Sequence, residues 1–375
     1  MLLNDFPRLW AEIGEDVLHA VAEVGASGHY ILGPQVAAFE SSLAALAGLP
    51  GAVGCGSGLD AIEIGLRALD LPVGAKVLTT PLSAFATTLA IVRAGGIPVF
   101  VDVDAQGLLD LDQAQQELAR DAGIKFMVPV HLYGFPVSLG ALAALGERFG
   151  VAVVEDCAQA ILAEHSGAKV GTAGAGAAFS FYPTKNLGAL GDGGAFLAKS
   201  PEVIERARVL RDYGQTERYV HARLGLNSRL DELHAAVMSR AQLPRLPAWT
   251  ERRRQIAQRY LRGLAGSAVQ TLPVGDDSAP VWHLFPVLAP LGRREELRAF
   301  LVARAVQTGV HYPFVIPSQK ALAGVPFACP RNLANAEAFA AREVSLPIHP
   351  FLTDGEIDRV IDAVSAWDPG GGKRT

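Results

Sequence analysis

Between about residues 50 and 200 the chain alternates short β-rich runs with longer stretches of helical periodicity, and this alternation constrains the fold more than any other feature. Strands are expected at Lys76–Thr80, Pro98–Val103, Phe126–His131, Val151–Asp156, Ala177–Phe181 and Ala195–Ala198, where apolar and β-branched residues run together. Between them, Leu59–Leu69, Ser83–Ala94 and Leu139–Phe149 repeat apolar residues at helical spacing. Parallel partners need a crossover long enough to hold a helix, so the pattern predicts an α/β fold with a mostly parallel central sheet flanked by helices. In such a sheet, ligands bind beyond the carboxyl ends of the strands.

A chain of 375 residues exceeds what one core holds, since cores stop growing near roughly 250–300 residues. Ser228–Leu243 reads as a helix closing a large domain over residues 1–245, with Ser228 and Asp231 resembling a capping box. The two prolines of Leu243–Pro247 then lead into Glu251–Arg262, expected as a long exposed helix that opens a smaller domain over residues 246–375. Only the glycine-rich tail Asp368–Thr375 looks disordered.

Charge and cysteine usage narrow the function classes. A net charge of -5 without a long basic run gives no footprint for nucleic acid. The three cysteines, Cys55, Cys157 and Cys329, are far apart and form no CxxC pair, so neither a disulfide framework nor a metal site is expected. Met1 to Glu15 lacks the basic start and apolar run of a secretory signal, and no window is apolar enough to span a membrane. A cytoplasmic enzyme acting on small molecules is the expectation.

The chemistry concentrates in two stretches. In Val151-Ala-Val-Val-Glu-Asp156, a run of β-formers delivers a carboxylate to the end of a strand, where it can meet a ligand or cap the next helix. Further on, Phe179-Ser-Phe-Tyr-Pro-Thr-Lys185 runs from a buried-looking strand into a glycine-bearing loop. A lysine there is either solvated or a desolvated nucleophile, because burial favours the neutral amine that attacks carbonyls. Together the pair suits pyridoxal chemistry, in which a carboxylate keeps the ring nitrogen protonated and the ring acts as electron sink. The turn Gly54-Cys-Gly-Ser-Gly58 entering a helix offers free N–H groups to an anion. It lacks the third glycine of a dinucleotide fingerprint, which argues against a Rossmann oxidoreductase.

Ordered motifs then resemble those of the DegT/DnrJ/EryC1/StrS sugar aminotransferases, in fold type I of the pyridoxal-phosphate enzymes: Ser57-Gly-Leu-Asp-Ala61, Phe85-Ala-Thr87, His131-Leu-Tyr-Gly134, Glu155-Asp-Cys-Ala-Gln159, Ser180-Phe-Tyr-Pro-Thr-Lys185 with Gly191-Asp-Gly-Gly194, and Asn227-Ser-Arg-Leu-Asp-Glu232. The resemblance runs from Tyr30-Ile-Leu-Gly-Pro34 to Leu346-Pro-Ile-His-Pro350 and implies a small C-terminal α+β domain. It further implies that Lys185 forms the Schiff base with pyridoxal 5'-phosphate, Asp156 pairs with the ring nitrogen, Gln159 bonds the 3-oxygen and Phe85 stacks on the ring. Gly58, Leu59 and Ser180 would hold the phosphate, Leu59 standing where the family commonly has Thr. Asn227 would reach the phosphate from a second subunit, making a homodimer with shared active sites.

The family members with histidine in place of the lysine are dehydrases, so Lys185 implies transamination: L-glutamate as donor, pyridoxamine phosphate as the intermediate form, and a nucleotide-linked 3-keto sugar, of the dTDP-3-keto-6-deoxyhexose class, as acceptor. Tyr182, Arg229, His311 and Tyr312 would bind the sugar or its diphosphate. A 4-keto sugar, a keto cyclitol, or a regulatory protein that keeps the fold without catalysis are the alternatives.

Overall fold

The computed structural model describes residues 1–370. Positions 371–375 of the tail expected to be disordered lie outside the described residues. Two helices, α1 (Phe6–Ser27) and α2 (Pro34–Ala47), precede a seven-stranded sheet. Its strands are β1 (Gly51–Cys55), β2 (Lys76–Thr79), β3 (Ile97–Phe100), β4 (Ile124–Val128), β5 (Ala152–Asp156), β6 (Gly176–Ser180) and β7 (Gly194–Ala198). They lie in the order β1-β7-β6-β5-β4-β2-β3, and α3 (Gly58–Ala68), α4 (Phe85–Arg93), α5 (Leu111–Arg120), α6 (Leu139–Phe149) and α7 (Pro201–Arg211) cover the sheet.

Strands β3, β2, β4, β5 and β6 are mutually parallel, while β7 runs antiparallel to both β6 and β1. The reversal has a simple cause. The loop carrying Lys185 returns the chain at the end where β6 leaves, without a crossover helix. Successive side chains point to opposite faces. Val77, Val128, Val154, Ala178 and Phe196 pack under α3, α4 and α7, whereas Leu78, Met127, Val153, Ala177 and Leu197 enter the larger core on the other side. Burial on both faces is why these strands read as continuous apolar runs.

Strands β3 and β4 each end three residues before expectation, and β1 was not expected. β4 stops at Val128 because Pro129 has no N–H for the ladder. β1 had no sequence signal, since two of its five residues are glycine and only Val53 is β-branched. A Cβ on Gly54 would come within 3.0 Å of Leu230, so close packing in place of β-propensity sets this strand.

Beyond the sheet run α8 (Glu232–Val237), a π-helical turn at Met238–Gln242 and α9 (Leu246–Gly263). A small antiparallel sheet follows, ordered β8 (Gln270–Thr271), β9 (Phe285–Leu288), β10 (Glu343–Leu346). The helix expected from Ser228 begins only at Glu232, and no capping box forms. Long-range partners take the Ser228 side chain and that of neighbouring Glu232, while Asp231 becomes the N-cap residue without a side-chain bond. Ser228 Oγ donates to Asp60 Oδ2 at 2.8 Å and accepts from the Gly56 N–H at 2.9 Å. The Glu232 carboxylate, 1% exposed, accepts from Gly33, Gln35 and Val36 N–H at 2.9, 2.9 and 2.7 Å, satisfying the open start of α2. Nor is the Arg-rich helix α9 exposed all round: Arg253, Ile256, Ala257 and Tyr260 form a buried face. No helix among the described residues is long and apolar enough to cross a membrane.

Candidate active site

A cavity of about 440 Å³ opens at the carboxyl ends of β5 and β6, between the starts of α3 and α4. His283, Leu284, His311 and Tyr312 close it from the C-terminal part of the chain, and Asn4 contributes from the N-terminus. The placement follows from parallel-strand topology, in which loops at the carboxyl ends diverge and leave a crevice.

At the end of β5, Asp156 is 4% exposed. Its Oδ2 accepts from the Thr87 hydroxyl at 2.8 Å and its Oδ1 from the Ala158 N–H at 3.1 Å. Burial nevertheless pushes its pKa up, with Thr87, Ala158 and the Lys185 charge opposing the shift. A buried carboxylate in this condition is stabilised by a cationic N–H partner. Across the cavity, Lys185 follows a turn closed by its own N–H on Tyr182 O at 2.8 Å. Its Nζ donates to no described residue. Burial pulls the amine down from its ordinary 10.5 to about 8, against the pull of Asp156.

The phosphate-sized end lies at the start of α3. Ser57 caps the helix by accepting from the Asp60 N–H at 3.1 Å, which leaves the Gly58 and Leu59 N–H groups without a partner among the described residues. Ser180 faces them closely: a Cβ on Gly58 would lie 2.5 Å from Ser180 Cβ, so only glycine fits. The turn is anchored from behind. The Ser228–Asp60 pair takes the Gly56 N–H, and Glu40, ion-paired to buried Arg211, accepts from Gly54 N–H at 2.7 Å. Free N–H groups, a hydroxyl and a helix dipole suit a phosphate.

Gln159, 6% exposed, has its orientation fixed, because its Oε1 accepts from the Tyr133 N–H at 2.6 Å and its Nε2 donates to the Tyr312 hydroxyl at 3.3 Å. Burial raises the Tyr312 phenol. His283 Nδ1 lies 3.2 Å from Asn186 Oδ1, and burial with the Lys185 and Arg253 charges holds the ring neutral. His311 is likewise lowered, to about 4, by burial and by Lys185.

The structure thus gathers Gly58, Leu59, Asp156, Gln159, Ser180, Tyr182, Lys185, His311 and Tyr312 around one cavity. Three expected residues stand outside it. Phe85 does not line the cavity; Ala84, Ala86 and Thr87 do. Thr87 donates to Asp156, while the partly buried Phe85 packs against the core. Arg229 pairs with Asp212 Oδ1 at 2.7 Å, donates to Asn227 Oδ1 and stacks 5.1 Å from the Tyr213 ring centre. Exposed Asn227 also lies away from the cavity of its own chain. Thr87, Thr184, Asp192 and His283 are lining residues to which sequence reasoning gave no role. Thr87 sat inside a recognised motif, yet nothing local signals that its hydroxyl meets Asp156.

One buried trio, His131, Glu155 and Cys157, brings potential metal ligands together. The lone pairs of His131 and Glu155 are already used. His131 Nδ1 accepts from Val137 N–H at 3.0 Å, so Nε2 carries the proton donated to Glu155 at 2.9 Å. Glu155 also accepts from the N–H groups of Gly171, Ala173 and Gly174 at 2.8, 2.8 and 2.9 Å. The trio braces the strand ends beneath the cavity.

A buried carboxylate lacking a cation, a depressed amine and an anion cradle face a single space, and that donor set fits a phosphorylated ring with a protonatable nitrogen and a carbonyl. The comparisons agree. The chain is 42% identical over 365 residues to a dTDP-3-amino-3,4,6-trideoxy-alpha-D-glucose transaminase of Streptomyces venezuelae, covering 97% of this chain and 95% of that one. Among solved structures, S. venezuelae DesV in complex with a ketimine intermediate superposes with a TM-score of 0.92 at 41% identity, covering 97% of both chains. NtdA from Bacillus subtilis with bound cofactor PMP gives 0.84 at 29% identity, over 93% of this chain and 80% of that one. The DegT/DnrJ/EryC1/StrS aminotransferase description matches residues 11–365, and the chain belongs to that family.

Proposed function

We propose that the protein transfers the amino group of L-glutamate to the C3 ketone of a nucleotide-linked sugar, of the dTDP-3-keto-6-deoxyhexose class, with pyridoxal phosphate held in the cavity described above. Similarity along nearly the whole chain to a transaminase of a dTDP-3-amino sugar carries the choice of acceptor. When bound, the cofactor supplies a carbonyl for nitrogen and an electron sink.

The residues then divide the work. Asp156, oriented by Thr87 and Ala158, keeps the ring nitrogen protonated, and that pairing offsets the desolvation that raises the carboxylate on its own. Gly58 and Leu59 N–H groups and the Ser180 hydroxyl bind the phosphate. Gln159, turned by Tyr133 and Tyr312, presents its remaining N–H to the 3-oxygen. Lys185 attaches the cofactor, and once released carries the proton at the reacting carbon. With a pKa of about 8, about a quarter of the amine is neutral at pH 7.5, against about a thousandth at 10.5.

Tyr182, His311 and Tyr312 contact the sugar in this reading. Arg229 and Asn227, both outside their own cavity, serve the site of a second copy: Asn227 at the phosphate and Arg229 at the diphosphate, in a homodimer. Incubating the pyridoxamine-loaded protein with nucleotide 3-keto sugars, nucleotide 4-keto sugars and keto cyclitols, followed by product mass, tests the acceptor. Amination of the 3-keto sugar at least tenfold faster than of the others is expected. Preference for another class overturns the acceptor, and a protein that takes up no pyridoxal phosphate overturns the enzyme reading.

A further inference from the structure

Behind His311, on the side away from the cavity, lies a polar chain with no solvent access. Glu343 and Ser345, both 0% exposed, sit on β10 and point toward the segment Gly309–Tyr312. The His311 N–H donates to Glu343 Oε2 at 2.6 Å. The Ser345 hydroxyl donates to Glu343 Oε1, and Ser345 Oγ lies 2.9 Å from His311 Nδ1. Backbone pairing of Gly309 with Ser345 at 3.1 and 3.0 Å fixes the segment against the strand. The ring is seated on Gly309, where a Cβ would lie 2.6 Å from His311 Cε1. His311 Nε2 has no partner among the described residues, and the ring lines the cavity.

A buried carboxyl with no ion-pair partner is costly, and its compensation here is hydrogen bonding to the His311 N–H and the Ser345 hydroxyl. Among charged neighbours, Lys185 faces His311 from across the cavity, and Arg294 and Arg298 act on Glu343 only from a distance. Tyr133 donates its hydroxyl to His311 O, and burial keeps that phenol protonated. Among the described residues, the hydrogen-bonded path for a proton from Glu343 runs through Ser345 to His311.

We infer that Glu343, Ser345 and His311 form a buried proton relay that ends in the cavity at His311 Nε2 and serves the sugar acceptor. Its balance is explicit. With Glu343 protonated at Oε1, that proton is donated to Ser345 Oγ, the Ser345 proton to His311 Nδ1, and Nε2 carries hydrogen. When Nε2 gives its proton to the acceptor oxygen that leaves as water, Nδ1 takes the Ser345 proton and Ser345 takes the Glu343 proton. One proton has moved, the ring stays neutral, and the charge rests on Glu343. Burial, which raises the Glu343 carboxyl to about 8, keeps the protonated state accessible at neutral pH. Glu343 and Ser345 are positioning residues, since they act through His311.

The inference rests on the sugar-transfer reading, and the two half-reactions separate their failures. In Glu343→Gln, the amide oxygen accepts from the His311 N–H and the amide NH2 faces Ser345, so geometry persists while proton exchange ends. Single-turnover transfer to the nucleotide keto sugar is expected to slow at least tenfold, within the range of general acid–base effects, with KM for the sugar and the glutamate half-reaction each within about threefold. Ser345→Ala should slow the same half-reaction and raise KM, and Ser345→Thr, which keeps the hydroxyl, should recover most of the rate. Equal loss in both half-reactions, an unaffected Glu343→Gln, or no recovery in Ser345→Thr overturns the relay. A wild-type protein that aminates no sugar overturns the reading beneath it.

Discussion

Adding one methyl group at Gly58 should separate cofactor binding from folding. The new Cβ would lie 2.5 Å from Ser180 Cβ and 3.1 Å from its Cα, whereas carbon atoms in ordinary contact sit about 3.5–4.0 Å apart. Roughly 1 Å must therefore open between the start of α3 and the end of β6. That displaces the Gly58 and Leu59 N–H groups from the phosphate. A lost hydrogen bond to a charged group is worth about 1.5–3 kcal/mol, so Gly58→Ala should weaken pyridoxal-phosphate binding by about 10- to 150-fold. Overpacking costs the apoprotein about 1–3 kcal/mol as well. Spectroscopic titration of the apoprotein measures the first, and denaturant unfolding the second. Removing the facing Cβ in Gly58→Ala/Ser180→Gly should restore much of the affinity despite the lost hydroxyl, giving a coupling that contact residues display and distant ones do not. Binding within threefold of wild type in Gly58→Ala, or additive losses in the double variant, would refute the cradle.

Three further outcomes follow from the structure. Acylation of Lys185 in the apoprotein, followed by peptide mass, should rise with pH about a midpoint near 8, because burial lowers the amine from 10.5 and the neutral form grows through that value; a midpoint above 10 contradicts it. If the proposed homodimer shares its sites, mixing Lys185→Ala with Asn227→Ala chains under subunit exchange should restore up to about a quarter of wild-type sites, since half of the dimers would be mixed and each would have one intact composite site; no recovery argues against sharing. Arg8 binds Glu356 through both nitrogens, at 2.7 and 2.9 Å, and holds the carboxyl down at about 2 against its ordinary 4.5. A lowered carboxyl pKa stabilises above the unfolded value and is lost as pH falls through the folded one. Unfolding of Glu356→Gln should therefore lose part of the wild-type pH dependence between about 4.5 and 2, and an unchanged slope there would count against the pair.

How much of this was legible in the sequence differed by the kind of signal. Asp156 stood out because a run with three valines delivers it to a strand end, and Lys185 because it follows a buried-looking strand into a glycine-bearing loop. Both signals are local, and both residues line the cavity. The direction of β7 was not legible, because an apolar strand reads the same either way. β1 was hidden because its glycines are set by the close approach of Ile204 to Gly51 and of Leu230 to Gly54. Ser228 followed the local rule for a helix cap and was claimed instead by Asp60 and Gly56, far away in sequence. The Phe85-Ala-Thr87 motif fixes position along the chain and does not reveal that the Thr87 hydroxyl meets Asp156, a contact that the fold supplies.

In the proposed reaction, nitrogen passes from an amino acid to a sugar ketone through a cofactor that Lys185 attaches and whose proton transfers Lys185 performs. The direct measurement supplies L-glutamate labelled with nitrogen-15 and a nucleotide 3-keto sugar to the holoprotein, and reads label in the product sugar by mass. Label in the amino sugar, at one nitrogen per molecule, abolished in Lys185→Ala, is the expected result. Sugar without label, or Lys185→Ala turning over repeatedly at the wild-type rate, would contradict it.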